Sequence, residues 1–315
     1  MSDKPITRSF VKDELFFEIS WSDAFVEIVR GRVGKSGRAT EKAFASVAER
    51  DAFVADQIAR ATKGGYVECD PAQLSTPEII DEFQRTVEAL AKKLARTAWI
   101  PKLLAGDDKH PLVSKLGGSP YRPENDDGLE CGRCGKDMTL YLQLLRADVP
   151  PAWRRVFASD LVQLFMCDSE CQANYGWAAF APSTCARHVA DDTAHAARAH
   201  HAEPYPEQWI VGWDERVDYP ATEDIRLEVP DADSLEVGEE FRERGDVTLA
   251  GEKLGGWPCF IQAAERPTCK CGTTMEPFFQ IDSNRALPTG FGDTGVGWLS
   301  SCSKCLALTF TWQCC

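Results

Sequence analysis

Apolar positions near the start of the chain alternate with polar ones. Phe17, Ile19 and Trp21, then Phe25 and Ile28, mark short strands broken at a Ser22-Asp23 turn. The period then changes: Ser46 with Glu49 has the form of a capping box, and Phe53, Val54 and Ile58 continue at helical spacing until Gly64-Gly65 ends the run. A second helix is predicted from Thr76, a capping residue followed by proline at the first helical position. Its Ile79, Ile80, Phe83, Val87, Leu90 and Leu94 recur at a spacing close to 3.6. Further strands are predicted at 139–145, 161–166, 277–281 and 296–299, and the alanine-rich ARHVADDTAHAARAHHAE reads as an exposed helix.

The chain also repeats itself. Lys115-Leu116-Gly117-Gly118-Ser119-Pro120 recurs as Lys253-Leu254-Gly255-Gly256-Trp257-Pro258, and Cys134-Gly135, Met138 and Gln143 recur as Cys271-Gly272, Met275 and Gln280 at a common offset of 137. Each copy carries two cysteine pairs: Cys131-x-x-Cys134 with Cys167-x-x-x-Cys171, and Cys269-x-Cys271 with Cys302-x-x-Cys305.

Two thiolates on a tight turn can bite one metal at about 2.3 Å per sulfur, and a second turn completes a tetrahedron. Glycines at 132, 135 and 272 ease the bend. With four sulfurs there is no open position for water, so the ions expected are two structural zincs, held by Cys131, Cys134, Cys167 and Cys171 and by Cys269, Cys271, Cys302 and Cys305. Iron–sulfur ligation and metal-free buried thiols are the alternatives. Cys185, His188, Cys259, Cys314 and Cys315 are candidate substitutes for an assigned ligand, the tandem Cys314-Cys315 foremost, and Cys69 is unrelated.

Length and charge narrow the class. The 315 residues, 43% hydrophobic, suffice for two or three domains, and no stretch has the roughly 18 to 20 uninterrupted apolar residues of a membrane span. The amino terminus lacks the layout of a secretion signal, so the expectation is a cytoplasmic protein with reduced thiols. The net charge of −14 is concentrated between Glu203 and Glu252, where sixteen acidic residues face four arginines. Such a segment reads as a solvated acidic connector that repels phosphate and attracts a basic protein.

Two resemblances follow from these motifs. The first strands, the basic loop Arg30-Gly31-Arg32-Val33-Gly34-Lys35-Ser36-Gly37-Arg38, one helix and Gly65-Tyr66 together resemble a WGR domain over about residues 14–68. That implies nucleic-acid binding through Arg30, Arg32, Lys35 and Arg38. Arg32 matches the family's arginine, and Arg30 stands where its tryptophan belongs. Over about residues 105–315, Lys-Leu-Gly-Gly-x-Pro and Cys-x-x-Cys-Gly followed by an apolar run ending in Gln are similar to the programmed cell death protein 2 family. Phe278-Phe279-Gln280-Ile281-Asp282 with Gly292-Asp293-x-Gly295 resembles the bacterial YwqG proteins. The resemblance implies a duplicated β domain and, from the first family, a role beside a basic ribosomal protein.

Catalytic signatures fail on inspection. Gly34-Lys35-Ser36 lacks the glycine that a phosphate-binding loop needs five residues earlier, where Val29 stands. Gly290-x-Gly292-x-x-Gly295 is followed by Trp298-Leu299 and a cysteine pair in place of a helix. His188, His195, His200 and His201, with Asp191 and Asp192, do not converge on one helical face.

The expected fold is α+β: a small WGR-like sheet-plus-helix domain (1–75), a linking amphipathic helix (76–104), a first zinc-pinned, mainly antiparallel β repeat (105–202), the acidic connector (203–252) and a second β repeat (253–315). The expected function is a non-catalytic, zinc-stabilised binding or chaperone-like role toward a basic protein. The alternative is a nucleic-acid-associated or processing factor.

Overall fold

The computed structural model describes residues 5–13, 15–22, 25–34, 37–74, 77–107, 109–123, 129–168, 171, 176–191, 205–230 and 234–314. Lys35, Asp23, Thr76, Asp192, His195, His200, His201 and Cys315, all singled out above, lie outside the described residues. The chain divides into two compact units, residues 1–92 and 93–315.

In the first unit, β1 (Ile6–Lys12), β2 (Leu15–Trp21), β3 (Phe25–Arg32), β4 (Arg38–Ala43) and β5 (Val67–Cys69) form an antiparallel sheet in the order β4-β3-β2-β1-β5. α1 (Val47–Lys63) supplies Val54 to a core with Phe10, Phe17, Ile19, Val26 and Ile28, so the strand and helix patterns meet where their apolar faces require. Ser46 Oγ accepts the Glu49 N–H at 3.3 Å, and Gly64 ends the helix. α2 (Pro77–Leu94) follows, with Val87, Ala91 and Leu94 buried.

The second unit is built on one ten-stranded antiparallel sheet. Its strands are β6 (Arg96–Ala105), β7 (Lys115–Leu116), β8 (Thr139–Leu145), β9 (Leu161–Met166), β10 (Thr184–Val189), β11 (Gln208–Asp218), β12 (Lys253–Gly255), β13 (Glu276–Asp282), β14 (Val296–Ser301) and β15 (Leu308–Gln313). Their order is β10-β9-β8-β7-β11-β6-β12-β13-β14-β15. The two edges approach each other, so the sheet nearly closes. Across that seam His188 Nε2 donates to Leu306 O (2.8 Å), its Nδ1 accepts the Ala158 N–H (3.2 Å), and the Phe180 N–H donates to Thr309 Oγ1 (2.7 Å). α3 (Thr222–Glu228) and α4 (Ser234–Arg244) pack together, burying Ile225, Val237 and Phe241.

Three expectations change. The segment 203–252 is no mere connector: its β11 lies between β7 and β6 in the middle of the sheet. The linking helix stops at Leu94, and the rest of its expected span forms β6. Pro101 lies inside β6 and cannot donate to the ladder; close by, Val211 is an extra residue in β11 where the register shifts between Ile210 and Gly212. A proline interior and dense acids masked both strands from a reading by pattern. Finally, the alanine-rich run begins as a strand: Cys185, Arg187 and His188 lie on β10, paired with Phe165, Gln163 and Val162 of β9. Edge pairing over a buried neighbour overrides alanine's helix preference.

Matched details recur on either side of the β6–β11 pair. Lys115 is paired with Gln143 and Lys253 with Gln280. Gln143 Oε1 accepts the Tyr121 N–H (2.9 Å) while its Nε2 donates to Pro111 O and Val113 O (2.8 Å each). Gln280 Oε1 accepts the Cys259 N–H (2.8 Å) while its Nε2 donates to Gly251 O (2.9 Å).

Candidate metal centres

The two predicted cysteine quartets converge. Within Cys131, Cys134, Cys167 and Cys171, and within Cys269, Cys271, Cys302 and Cys305, all sulfurs lie within 4.8 Å of one another. Cys134 Sγ is 3.6 Å from Cys167 Sγ. In the second quartet Cys269–Cys305 and Cys271–Cys302 are each separated by 3.5 Å and Cys271–Cys305 by 3.8 Å. These spacings are far too long for a disulfide, about 2.05 Å. They match the edge of about 3.8 Å of a tetrahedron with 2.3 Å metal–sulfur bonds. Both quartets can therefore hold a metal ion, and four sulfur donors suit zinc or an iron–sulfur centre.

Local turns aim the sulfurs. The Cys131 N–H donates to Lys136 O (2.7 Å) and the Gly135 N–H to Cys131 O (2.8 Å); the Cys302 N–H donates to Ala307 O (2.9 Å) and the Leu306 N–H to Cys302 O (2.9 Å). The two Cys-x-x-Cys turns thus close the same rings. The residue after the second cysteine is left-handed in both, Gly135 at φ +69 and Leu306 at φ +58. In the shorter Cys269-x-Cys271 turn the bend falls on Gly272, φ +85. Met138 and Met275 are fully buried against their respective quartets.

Three thiols of the second quartet differ in acidity. The Cys271 thiol is lowered to about 6, first by its side-chain hydrogen bond with Thr273 Oγ1 (3.4 Å) and then by the Thr273 backbone N–H. Cys302 is lowered mainly by the backbone N–H of Cys305. The Cys271 N–H pulls Cys269 the same way, but burial and the sulfurs of Cys305, Cys271 and Cys302 outweigh it and push it up to about 12. Protons are held unequally by Cys269, Cys271 and Cys302, and a cation at the centre of the quartet would displace those that remain.

The candidate substitutes stay outside the quartets. Cys185 packs beside the first without joining it. Cys314 lies beyond the far end of β15, a strand that runs about 20 Å from its start at the second quartet, and its sulfur packs against Gly292. Cys259 is half-buried, its thiol pushed up first by burial. His188 is occupied at the seam, and Asp191 donates its N–H to Asp160 Oδ2. Gly290, Gly292 and Gly295 lie in the turn between β13 and β14, so no helix follows them.

In the first unit, Arg30 and Arg38 are cross-strand partners and Arg32 ends β3. Arg30 donates to Gln57 Oε1 (3.1 Å) and lies over the Phe17 ring. Among the described residues, no helix is long and apolar enough to cross a membrane.

One loop connects the two centres, which sequence spacing gave no sign of. Pro182 O accepts the Gly132 N–H and Ser183 O the Cys167 N–H, each at 2.9 Å, while the Phe180 ring packs against Cys269, Met275 and Cys302.

Comparison with known proteins adds one family. The family described as "Domain of unknown function (DUF1963)" matches residues 114–301. No curated protein matches the chain. Among solved structures, a Bacteroides fragilis protein determined by the Northeast Structural Genomics Consortium is 29% identical over 22% of this chain and 21% of its own, with a TM-score of 0.22. The chain thus spans about a fifth of that protein.

Proposed function

The chain belongs to the DUF1963 family, and from that premise we propose that it is a zinc-stabilised, non-catalytic binding protein that engages a basic protein partner, in the manner of a chaperone. The observation carrying this reading is the closure of both quartets: each vertex is a cysteine sulfur, so a bound ion keeps no position for substrate or water. A zinc in such a site holds turns together and contributes to folding, on the order of 10 kcal/mol of apparent binding energy. The matched lysine–glutamine pairs and knuckles on the two sides of β6–β11 support an internally duplicated β domain of the YwqG and programmed cell death protein 2 kind.

Glu215 on β11 and Glu239 and Glu243 on α4 are exposed, which suits a lysine- and arginine-rich client, ribosomal proteins being the natural class, in the cytoplasm. The second reading rests on the first unit. Its Arg30–Arg38 pair and Arg32 make one end of the sheet basic, which suits the WGR-like reading, and nucleic acid is the corresponding ligand.

Metal analysis of the purified chain should give about two zinc equivalents; folded protein with none would end the proposal. Binding of an arginine-rich peptide and of a DNA duplex, each measured across a salt series, separates the two readings. Peptide binding lost in a Glu215→Lys, Glu239→Lys, Glu243→Lys variant supports the first. Duplex binding with a steep salt slope, lost in Arg32→Gln, supports the second.

A further inference from the structure

A cleft of about 740 Å³ opens in the second unit beside the second quartet, within the range of small-molecule sites. Its floor includes Ser303, between the ligands Cys302 and Cys305, and one wall carries Trp99 and Trp153, whose rings meet edge to face at 6.4 Å. Three arginines and two glutamates line it, in a chain whose net charge is −14.

The arginines are held in place but incompletely used. Arg96 lies 3.3 Å above the Trp257 ring and 3.6 Å from Glu228. Arg266 reaches Asp224 and Glu228 at 3.4 Å and Glu276 at 3.8 Å, all longer than the roughly 2.7–2.9 Å of a good charge-assisted bond. Its buried Nε has no partner, and neither has the buried Trp153 Nε1. With its carboxylate partners all at long range, the Arg266 guanidinium keeps capacity for a further acceptor.

The other half of the sheet shows what a closed version looks like. Leu116 is paired with Gln208 and Leu254 with Trp99, so Tyr205 and Arg96, each three residues earlier, occupy corresponding positions. Asp168 follows Cys167 as Ser303 follows Cys302. There Tyr205 and Tyr141 both donate to Asp168 Oδ1, at 2.9 and 2.8 Å, and fill the place. Where tyrosine and aspartate seal one side, arginine and serine leave the other open.

We propose that this cleft binds a ligand joining an oxyanion to a flat ring, the oxyanion received by Arg96 and Arg266 and the ring lying beside Trp99, where it would displace the Arg155 guanidinium that sits 4.7 Å over the Trp153 ring. Guanidinium pairs recognise carboxylate and phosphate alike, and indole faces receive any flat ring. The cleft borders the acidic surface assigned to the basic partner at Glu215, the cross-strand partner of Trp99.

Calorimetric titration of the full chain with adenosine monophosphate, indole-3-acetate, adenosine and inorganic phosphate tests it. At least one of the first two should bind where the last two do not, and the one preferred identifies the oxyanion as phosphate or carboxylate. Arg266→Gln should weaken that binding by about tenfold or more. Ser303→Phe, at an exposed position, should block the cleft while leaving metal content and fold intact, so it decides the matter if Arg266→Gln does not fold. Failure of both ring-bearing anions to bind at millimolar concentration, or binding unchanged by Ser303→Phe, overturns the proposal.

Discussion

Lys253 Nζ lies 2.7 Å from Asp218 Oδ2, with both side chains sealed from solvent. The same carboxylate accepts the Trp257 N–H (2.8 Å) through Oδ2 and the Leu249 N–H (2.7 Å) through Oδ1, so one aspartate at the end of β11 secures the whole entry to β12. Lys115 and Glu207, at 2.5 Å, play the matching part on the other side. Asp218→Asn leaves the Lys253 ammonium buried without a counter-charge and should cost about 3–5 kcal/mol in chemical denaturation. A cost below about 1 kcal/mol would show that the pair does not hold these strands.

Asp224 gives the fold a pH dependence. Burial raises its carboxyl from 3.8 to about 6, against the pull of Arg266 and Arg96. The folded state therefore keeps a proton that the unfolded chain releases between those values. Stability from this group is full below about pH 4 and is lost as pH climbs through about 6. Asp224→Asn should flatten that slope, the difference from the parent changing by about 2–3 kcal/mol between pH 4 and 7. Parallel curves of stability against pH would refute the assignment.

Two left-handed glycines should respond differently to alanine. At Gly135 (φ +69) an added Cβ meets nothing within 4 Å, so only backbone strain of about 1–2 kcal/mol is expected. At Gly256 (φ +71) the Cβ would collide with Asp218 Oδ2 and lie 2.8 Å from Ala98 Cβ. Gly256→Ala should therefore destabilise by considerably more, measured by thermal unfolding of the two variants side by side; equal melting temperatures would contradict the steric argument.

Cys302→Ser removes one corner of the second quartet, and bound metal should fall from about two equivalents to about one. Because Phe180 packs on that quartet while Pro182 and Ser183 hold Gly132 and Cys167, the remaining ion should also be lost faster to a chelator. An unchanged release rate would mean that the 180–183 loop does not couple the centres.

Much of this architecture is legible in the chain. The predicted strand at 139–145 coincides with β8 and that at 161–166 with β9, because both are mainly apolar runs, each with one buried glutamine, Gln143 and Gln163, enclosed along their length. The offset of 137 that relates Gln143 to Gln280 and Met138 to Met275 corresponds to matched hydrogen bonding and matched burial under the quartets. β6 and β11 escaped notice because Pro101 and the run Asp214-Glu215-Arg216 break the alternation that marks a strand; each strand is specified by its partner more than by its own pattern. The cleft was equally hidden, since Arg96, Trp153, Arg266 and Ser303 come from four separate stretches.

The sequence by itself determined the eight sulfurs as four pairs, because a cysteine turn is local: two cysteines, a left-handed residue after the second, such as Gly135, Gly272 or Leu306, and a few backbone hydrogen bonds define it within six residues or so. It also determined the helix cap at Ser46 and the paired lysines and glutamines. Only the tertiary structure decided that the two cysteine-bearing halves share one nearly closed sheet, with an acidic strand at its centre and an open cleft on one side. Those outcomes depend on strand pairing between residues about a hundred positions apart, Trp99 with Glu215 among them, whose free energy belongs to no segment taken alone.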